Sequence, residues 1–214
     1  MVITYYGLSC FKIQSGETTL VFDLPGRLPG FKPPRFHFDI ALESHGHPGH
    51  CGAREVSGAK EAFVVSDPGE YEIKGIHVQG FKTFHDSSSG KKYGLNTSYV
   101  VQIENIKLCF MGDYGEKDLR PETKEGINKI DILFVPIGGG KALDAQSARN
   151  LINQLDPAIA VPMHYSPGSE GKAALKDFLA DFGLKDVKAL EKLSIKKKDI
   201  GGDKGAKIIV FSPI

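Results

Sequence analysis

The chain of 214 residues contains no tryptophan, only three methionines and only three cysteines. Cys10, Cys51 and Cys109 lie far apart in the sequence, and an odd, sparse set of cysteines indicates free thiols rather than a disulfide framework. The chain also lacks a charged leader before an apolar segment, and it lacks any apolar run of about 18 residues. These absences predict no signal peptide and no membrane partner, and we expect a cytoplasmic protein.

Net charge of either sign is also nearly absent, because 27 Lys and Arg residues balance 26 Asp and Glu residues. A formal charge of +1 argues neither for nor against a nucleic-acid partner. With 41% hydrophobic and 25% charged residues, the composition is that of an ordinary globular protein. The length predicts one domain over residues 1–214, and the sequence leaves the oligomeric state open.

Histidine is concentrated in one segment, where His45, His47 and His50 follow a short apolar run at 39–43. That run predicts a buried strand, and Pro48 with the next residue predicts a turn that brings the third histidine back beside the first two. Converging neutral imidazoles bind divalent transition metals such as zinc. The alternative, three unrelated loop histidines, is disfavoured because the group follows a strand.

Strand patterns dominate the first two thirds of the chain, and helices alternate with strands only near its end. The predicted strands are 2–6, 10–14, 18–23, 39–43, 62–66, 71–74, 76–84, 97–104, 106–112, 131–137, 158–163 and 207–211. The predicted helices are 121–129, 144–154 and 169–182. The candidate ligands fall at strand ends, as a site between two sheets requires.

The histidine segment resembles the His-x-His-x-Asp-His signature of the metallo-β-lactamase superfamily, with Gly49 in place of the Asp. Later motifs of that family follow in order around His85, Asp113 and His164. The segments 6–11 and 20–23 are similar to the small lactonase-like branch, which includes the L-ascorbate-6-phosphate lactonases. The resemblance implies an α/β fold, a four-layer αββα sandwich of two mostly antiparallel or mixed sheets with helices outside.

The resemblance also implies the ligands of a metal-dependent hydrolase. His45, His47 and His85 would hold a first metal, His50 and His164 would belong to a second, and Asp113 would bridge both. The implied metal is zinc, one ion held firmly and a second less so, with manganese or iron as alternatives. It would activate water to attack a lactone, phosphodiester or related ester or amide, with His50, Asp113 and His164 as the catalytic residues.

Two departures from the family pattern leave a second function open. Gly49 has no side chain to hold the second metal, and Leu8 stands where many relatives carry histidine. Cys51 is a weaker candidate for a thiolate ligand, because sequence neighbours point apart. The alternative function is a catalytically degenerate relative that binds a metal or ligand with an incomplete second site.

Residues around the implied site bear on the substrate. Asp23 is interpreted either as a residue beside the metal histidines or as a strand-end cap. The loop 24–38 carries Arg27 among aromatic residues, and it is either a flap facing the substrate or a loop that packs its aromatics into the core. Lys91 and Lys92 lie in the loop after His85. These basic residues favour an anionic small-molecule or phosphate-containing substrate, with nucleic acid left open.

Overall fold

Two mixed β-sheets packed face to face form the centre of the molecule. The computed structural model describes residues 1–29, 32–56, 61–165, 168–201 and 205–214. The strands in those ranges are β1 (Val2–Tyr5), β2 (Phe11–Ser15), β3 (Thr18–Phe22), β4 (Ile40–Leu42), β5 (Phe63–Val65), β6 (Gly69–Ile73), β7 (Ile76–Phe84), β8 (Leu95–Ile103), β9 (Ile106–Phe110), β10 (Ile132–Pro136), β11 (Ile159–Met163), β12 (Lys192–Ser194) and β13 (Lys207–Ile208). The helices are α1 (Pro121–Gly126), α2 (Ala145–Leu155) and α3 (Ser169–Asp181).

Strand direction determines which chain ends meet at one edge of the sandwich. The first sheet has the order β12-β1-β2-β3-β4-β5, and β3, β4 and β5 are parallel to one another. The second sheet has the order β13-β11-β10-β9-β8-β7-β6, in which β9, β10, β11 and β13 are parallel. Strand β7 runs in the same direction as β9, because each is antiparallel to β8 between them. Parallel strands present their carboxyl ends at a common edge.

The main core lies between the two sheets and is rich in stacked aromatic rings. Phe22 of the first sheet stacks on Phe110 of the second, with ring centroids 4.4 Å apart and planes 10° apart. Phe11 and Phe134 form a second contact across the sheets at 4.7 Å. All four rings are fully buried. Alternation of apolar residues along the strands places one face of each sheet in this core.

Truncation of Phe22 to Ala is therefore expected to lower the free energy of unfolding by about 3–5 kcal/mol, since it removes a buried ring and leaves a cavity. Urea denaturation measures the loss. Phe63→Ala is the matched control, because the side chain of Phe63 on edge strand β5 is 50% exposed. Equal losses in the two variants would contradict the assignment of Phe22 to the core.

The outer faces of the two sheets are covered differently. Helices α2 and α3 contribute to an apolar cluster on the second sheet, and α1 contacts β7 of the same sheet. Asp144 caps α2 by accepting a hydrogen bond from Ser147 N at 2.8 Å. Over the first sheet, the described residues supply loop side chains instead, with Leu24 and Phe38 fully buried. The Phe36 ring lies 5.0 Å from that of Tyr6. The described aromatics of the loop 24–38, Phe36 and Phe38, thus pack towards the first sheet. Residues 30 and 31 lie outside the described ranges.

A few predicted elements differ from the structure. The short strand β12, which pairs with β1, has no strong sequence pattern and was not predicted. The predicted strand at 207–211 is hydrogen-bonded as a ladder only over Lys207–Ile208, and Phe211 forms an isolated bridge with Leu190. Helix α1 ends at Gly126 rather than at residue 129. Among the described helices, none is long and apolar enough to cross a membrane.

Candidate metal centre

The six predicted ligands line one cavity of about 670 Å³ at the carboxyl-end edge of the sandwich. The histidine segment follows β4 of the first sheet, and the remaining ligands follow β7, β9 and β11 of the second. The site therefore spans the junction between the two sheets. Its proposed ligands are His45, His47, His50, His85, Asp113 and His164.

Asp113 occupies the centre of this group. Its Oδ2 atom lies 3.0 Å from Nε2 of His85 and 3.2 Å from Nε2 of His164. The same oxygen lies 3.5 Å from Nε2 of His50 and 3.8 Å from Nε2 of His45. The other oxygen, Oδ1, is buried and has no hydrogen-bond partner among the described residues. A buried polar atom normally has a hydrogen-bond partner or binds an ion. An unpartnered carboxylate oxygen among imidazoles is therefore consistent with a cation-binding site.

Three overlapping sets of side chains bring their ligand atoms within 4.8 Å of one another. One set joins Asp113 with His45 and His85, and another joins it with His50 and His164. His47 groups with His45 and His50, rather than with His85 as the resemblance implies. Imidazole nitrogens and a carboxylate are the donors that divalent transition metals prefer, so the residues present fit such an ion.

Asp23 holds one of these histidines in place. Its Oδ2 atom lies 2.7 Å from Nδ1 of His50 and accepts a hydrogen bond from Ser44 Oγ at 2.8 Å. Its Oδ1 atom accepts from Ser44 N at 2.7 Å, so Asp23 also caps the chain after β4. A carboxylate at Nδ1 fixes the tautomer in which Nε2 carries a free lone pair. That Nε2 atom faces Asp113.

The backbone beside the ligands is held in the left-handed region. Leu8, Asp23 and His164 have φ values of +55°, +44° and +54°. His164 N donates a hydrogen bond to the carbonyl of Leu8 at 2.7 Å, and Tyr5 OH donates to the same carbonyl at 2.7 Å. A left-handed conformation costs a non-glycine residue about 1–3 kcal/mol, and residues of this kind cluster at functional sites. Leu8 thus contributes its backbone, where many family members are expected to contribute a histidine side chain.

Burial and neighbouring charges shift the pKa values of the candidate ligands in different directions. Burial, reinforced by nearby His50, lowers the pKa of His45 to about 4. Burial opposes charge on His50, but the Asp23 carboxylate outweighs it and raises that pKa. Burial also opposes ionisation of Asp113, yet hydrogen bonds from His164 and His85 hold its pKa well below the usual value. A neutral imidazole and an ionised carboxylate are the forms that bind metal.

A side chain at position 49 would fit only if the ring of His47 shifted by a few tenths of an ångström. Its φ lies outside the left-handed region, and a Cβ there would lie 3.3 Å from Nδ1 of His47 and 3.8 Å from Cδ1 of Leu8. Cys51 does not replace a carboxylate in the described ligand sets, because its Sγ donates a hydrogen bond to His47 O at 3.1 Å. The space beside His47 is therefore the place where a carboxylate at position 49 would enter the site.

The comparison with known families agrees with this geometry. Residues 2–164 match the model of the beta-lactamase superfamily domain. The chain belongs to the metallo-β-lactamase superfamily. Within this superfamily, a UPF0173 metal-dependent hydrolase of Thermoplasma acidophilum is 30% identical over 187 residues, covering 77% of this chain and 83% of that protein. A UPF0173 metal-dependent hydrolase of Listeria welshimeri is 28% identical over 196 residues, covering 78% and 86%.

A solved structure of the metallo-β-lactamase superfamily has a similar overall fold. It is that of a candidate zinc-dependent hydrolase from Thermotoga maritima, with a TM-score of 0.77 and 28% sequence identity. The similarity covers 99% of both chains. The predicted two-sheet sandwich is therefore confirmed.

The basic residues that line the cavity are not those singled out from the sequence. Arg27, Lys91 and Lys92 are absent from the lining of this cavity, which instead contains Lys82 and Lys141. The loop 24–38 packs over the outer face of the first sheet, away from the second sheet. There the backbone N–H of Arg27 donates a hydrogen bond to Glu55. Lys141 follows β10, which is parallel to β9 and β11, so it lies at the same edge of the sheet as the ligands that follow those strands. Its position after a predicted strand was the sequence feature that could have identified it.

Proposed function

We propose that this protein is a metal-dependent hydrolase, with zinc as its metal and a small anionic lactone, phosphodiester or related ester as its substrate. One observation carries the proposal: a buried carboxylate oxygen of Asp113 lies within 3.8 Å of Nε2 in four histidines. The proposal also draws on the metal-dependent hydrolase names of its relatives in the UPF0173 group.

His45, His85 and Asp113 would hold one ion, and His50, His164 and Asp113 would hold a second. A bound divalent ion supplies Lewis acidity, which polarises the bond under attack and activates water near neutral pH. Asp113 contributes a fixed negative charge between the two groups of imidazoles. Asp23 accepts a hydrogen bond from Nδ1–H of His50 and so orients Nε2 towards the cavity.

The cavity favours a small molecule as the substrate. Its volume of about 670 Å³ lies within the range usual for small-molecule sites. Lys82 and Lys141 give the lining two cationic side chains, which favours an anionic substrate over a neutral one. Leu95 and Tyr93 add apolar surface beside them. A lactone with an anionic substituent fits this combination, and so does a phosphodiester.

Metal removal tests the proposed function. The purified protein is expected to retain about one tightly bound zinc per chain, because the set of His50 and His164 lacks the additional carboxylate that the superfamily signature carries at position 49. Chelation should abolish hydrolysis of a nitrophenyl phosphodiester and of a nitrophenyl ester, and zinc or manganese should restore it. Elemental analysis and initial rates are the measurements. Hydrolysis that survives complete metal removal would contradict the proposal.

The second candidate is a catalytically degenerate relative that binds a metal or ligand. Gly49 favours it, because this position lacks the carboxylate that the superfamily signature carries. In that case the protein would bind zinc with the same residues but hydrolyse none of the esters. Metal content and rate, measured on the same sample, separate the two candidates.

A further inference from the structure

A glycine-rich loop after β10 brings Lys141 to the metal cavity. A Cβ on Gly138 would lie 2.0 Å from His164 O, so only glycine allows the loop to pass this close to the ligand strand. Gly139 and Gly140 follow with φ of +66° and +65°, in the left-handed region that glycine adopts freely. The backbone then turns back, because Gly139 N donates a hydrogen bond to Leu143 O at 2.9 Å.

The surroundings of Lys141 contain no neutralising carboxylate within ion-pair distance among the described residues. Its Nζ lies 5.8 Å from the ring centroid of Tyr93, and the ring of Tyr93 lies 5.5 Å from that of His85. Lys141 and His47 both line the cavity. An unpaired ammonium group therefore stands at the rim of the ligand cluster.

The other basic residues of this region are less well placed. Lys92 contacts the same tyrosine, with Nζ 4.7 Å from the ring centroid, but it does not line the cavity. Lys82 does line it, with Nζ 5.9 Å from the ring centroid of Phe84. The backbone at Tyr93 is held in place because Asp86 accepts hydrogen bonds from Tyr93 N at 2.8 Å and from Lys92 N at 3.0 Å. Lys141 thus has a fixed aromatic neighbour and a free charge.

We propose that Lys141 selects the substrate by binding an anionic group, a carboxylate or a phosphate, that lies beside the bond to be hydrolysed. This inference rests on the proposed hydrolase function and assigns the anion preference to one side chain. The anionic group would pair with the ammonium group of Lys141, which lies beside the ring of Tyr93. Lysine binds such groups as a compact point charge with three hydrogen-bond donors.

The test compares two nitrophenyl esters that share a leaving group, the neutral acetate and the anionic hemisuccinate, on the zinc-loaded protein. Lys141→Ala should lower the ratio of kcat/KM for hemisuccinate to that for acetate by about tenfold, the size expected for one charged hydrogen bond. The effect should lie mainly in KM. Lys141→Arg should restore most of the ratio, because it keeps the positive charge.

Lys92→Ala is the matched control, since it removes a lysine from the same tyrosine outside the cavity. It should change the ratio by less than about twofold, as expected for a screened surface charge. Equal ratios in wild type and Lys141→Ala, or equal losses in Lys92→Ala and Lys141→Ala, would overturn the proposal.

A binding measurement separates this proposal from the hydrolase function itself. Calorimetric titration of the zinc-loaded protein with succinate should show an affinity that falls about tenfold in Lys141→Ala. If neither ester is hydrolysed but this loss appears, the anion site stands and the hydrolase function fails. If wild type binds no succinate and no propylphosphonate, the anion site is wrong. Comparison of these two ligands identifies the preferred anion as carboxylate or phosphonate.

Discussion

Replacement of Asp113 by Asn should reduce zinc affinity by at least about 100-fold, the upper end of the losses seen when a partner of a metal ligand is removed. The side chain keeps its shape, but it loses the negative charge that lies 3.0 Å from His85 and 3.2 Å from His164. Hydrolysis should fall with the metal content. Zinc titration against a competing chelator measures the affinity.

Asp144→Asn is the control for this variant, because Asn also caps helices and Asp144 is not among the residues that line the cavity. It should bind zinc as wild type does. Urea denaturation of the metal-free proteins shows whether Asp113→Asn still folds. A folded Asp113→Asn variant with wild-type zinc affinity would rule out Asp113 as the central ligand.

Replacement of Gly49 by Asp should raise the metal content from about one to about two per chain, since it adds a carboxylate to His50, His164 and Asp113. The φ of Gly49 lies outside the left-handed region, so the backbone accepts Asp without strain. The rate should rise on the order of 10²-fold, the scale that correct positioning of a reacting group produces. Elemental analysis and initial rates on the same preparation measure both quantities.

Gly46→Asp provides the comparison for that variant. A Cβ on Gly46 would meet nothing within 4 Å, so the substitution adds the same charge to the same segment of the cavity lining without bringing it against His47. It should leave metal content and rate close to those of wild type. If wild type already holds two tight metals, position 49 is not needed for the second one. A gain of metal in Gly49→Asp without a gain in rate would favour the degenerate, binding-only function.

Much of this fold could be predicted because its signals are local. Alternating apolar residues predicted β7, β8 and β9, and Asp144 with the apolar stripe after it predicted α2. The ligand residues were found because a short signature places three histidines directly after β4. The structure brings them together with His85, Asp113 and His164 because the carboxyl ends of their strands share one edge.

The remainder depended on contacts between distant parts of the chain. Strand β12 has three residues at a sheet edge, and only its pairing with Val2 and Ile3 makes it a strand. The loop 24–38 carries a mixture of charges and aromatics that fits either a flap facing the substrate or a loop packed on the core. Burial of Phe38 favours the packed loop. Lys141 could not be singled out by a motif in the sequence, because the glycines before it, Gly138 to Gly140, lack the spacing of a phosphate-binding loop.

All three described helices lie on the second sheet, whereas loop residues such as Leu24 and Phe38 cover the first. Segments covered by loops open to solvent at lower free energy than segments held under packed helices. Amide protons of β3 and β4 should therefore exchange with solvent faster than those of β10 and β11. Asp23 and the histidine segment follow the first pair of strands, and His164 follows β11. If so, the residues proposed to bind the metal centre come from two sheets that differ in the free energy of local unfolding, with His45, His47 and His50 on the sheet that unfolds more easily.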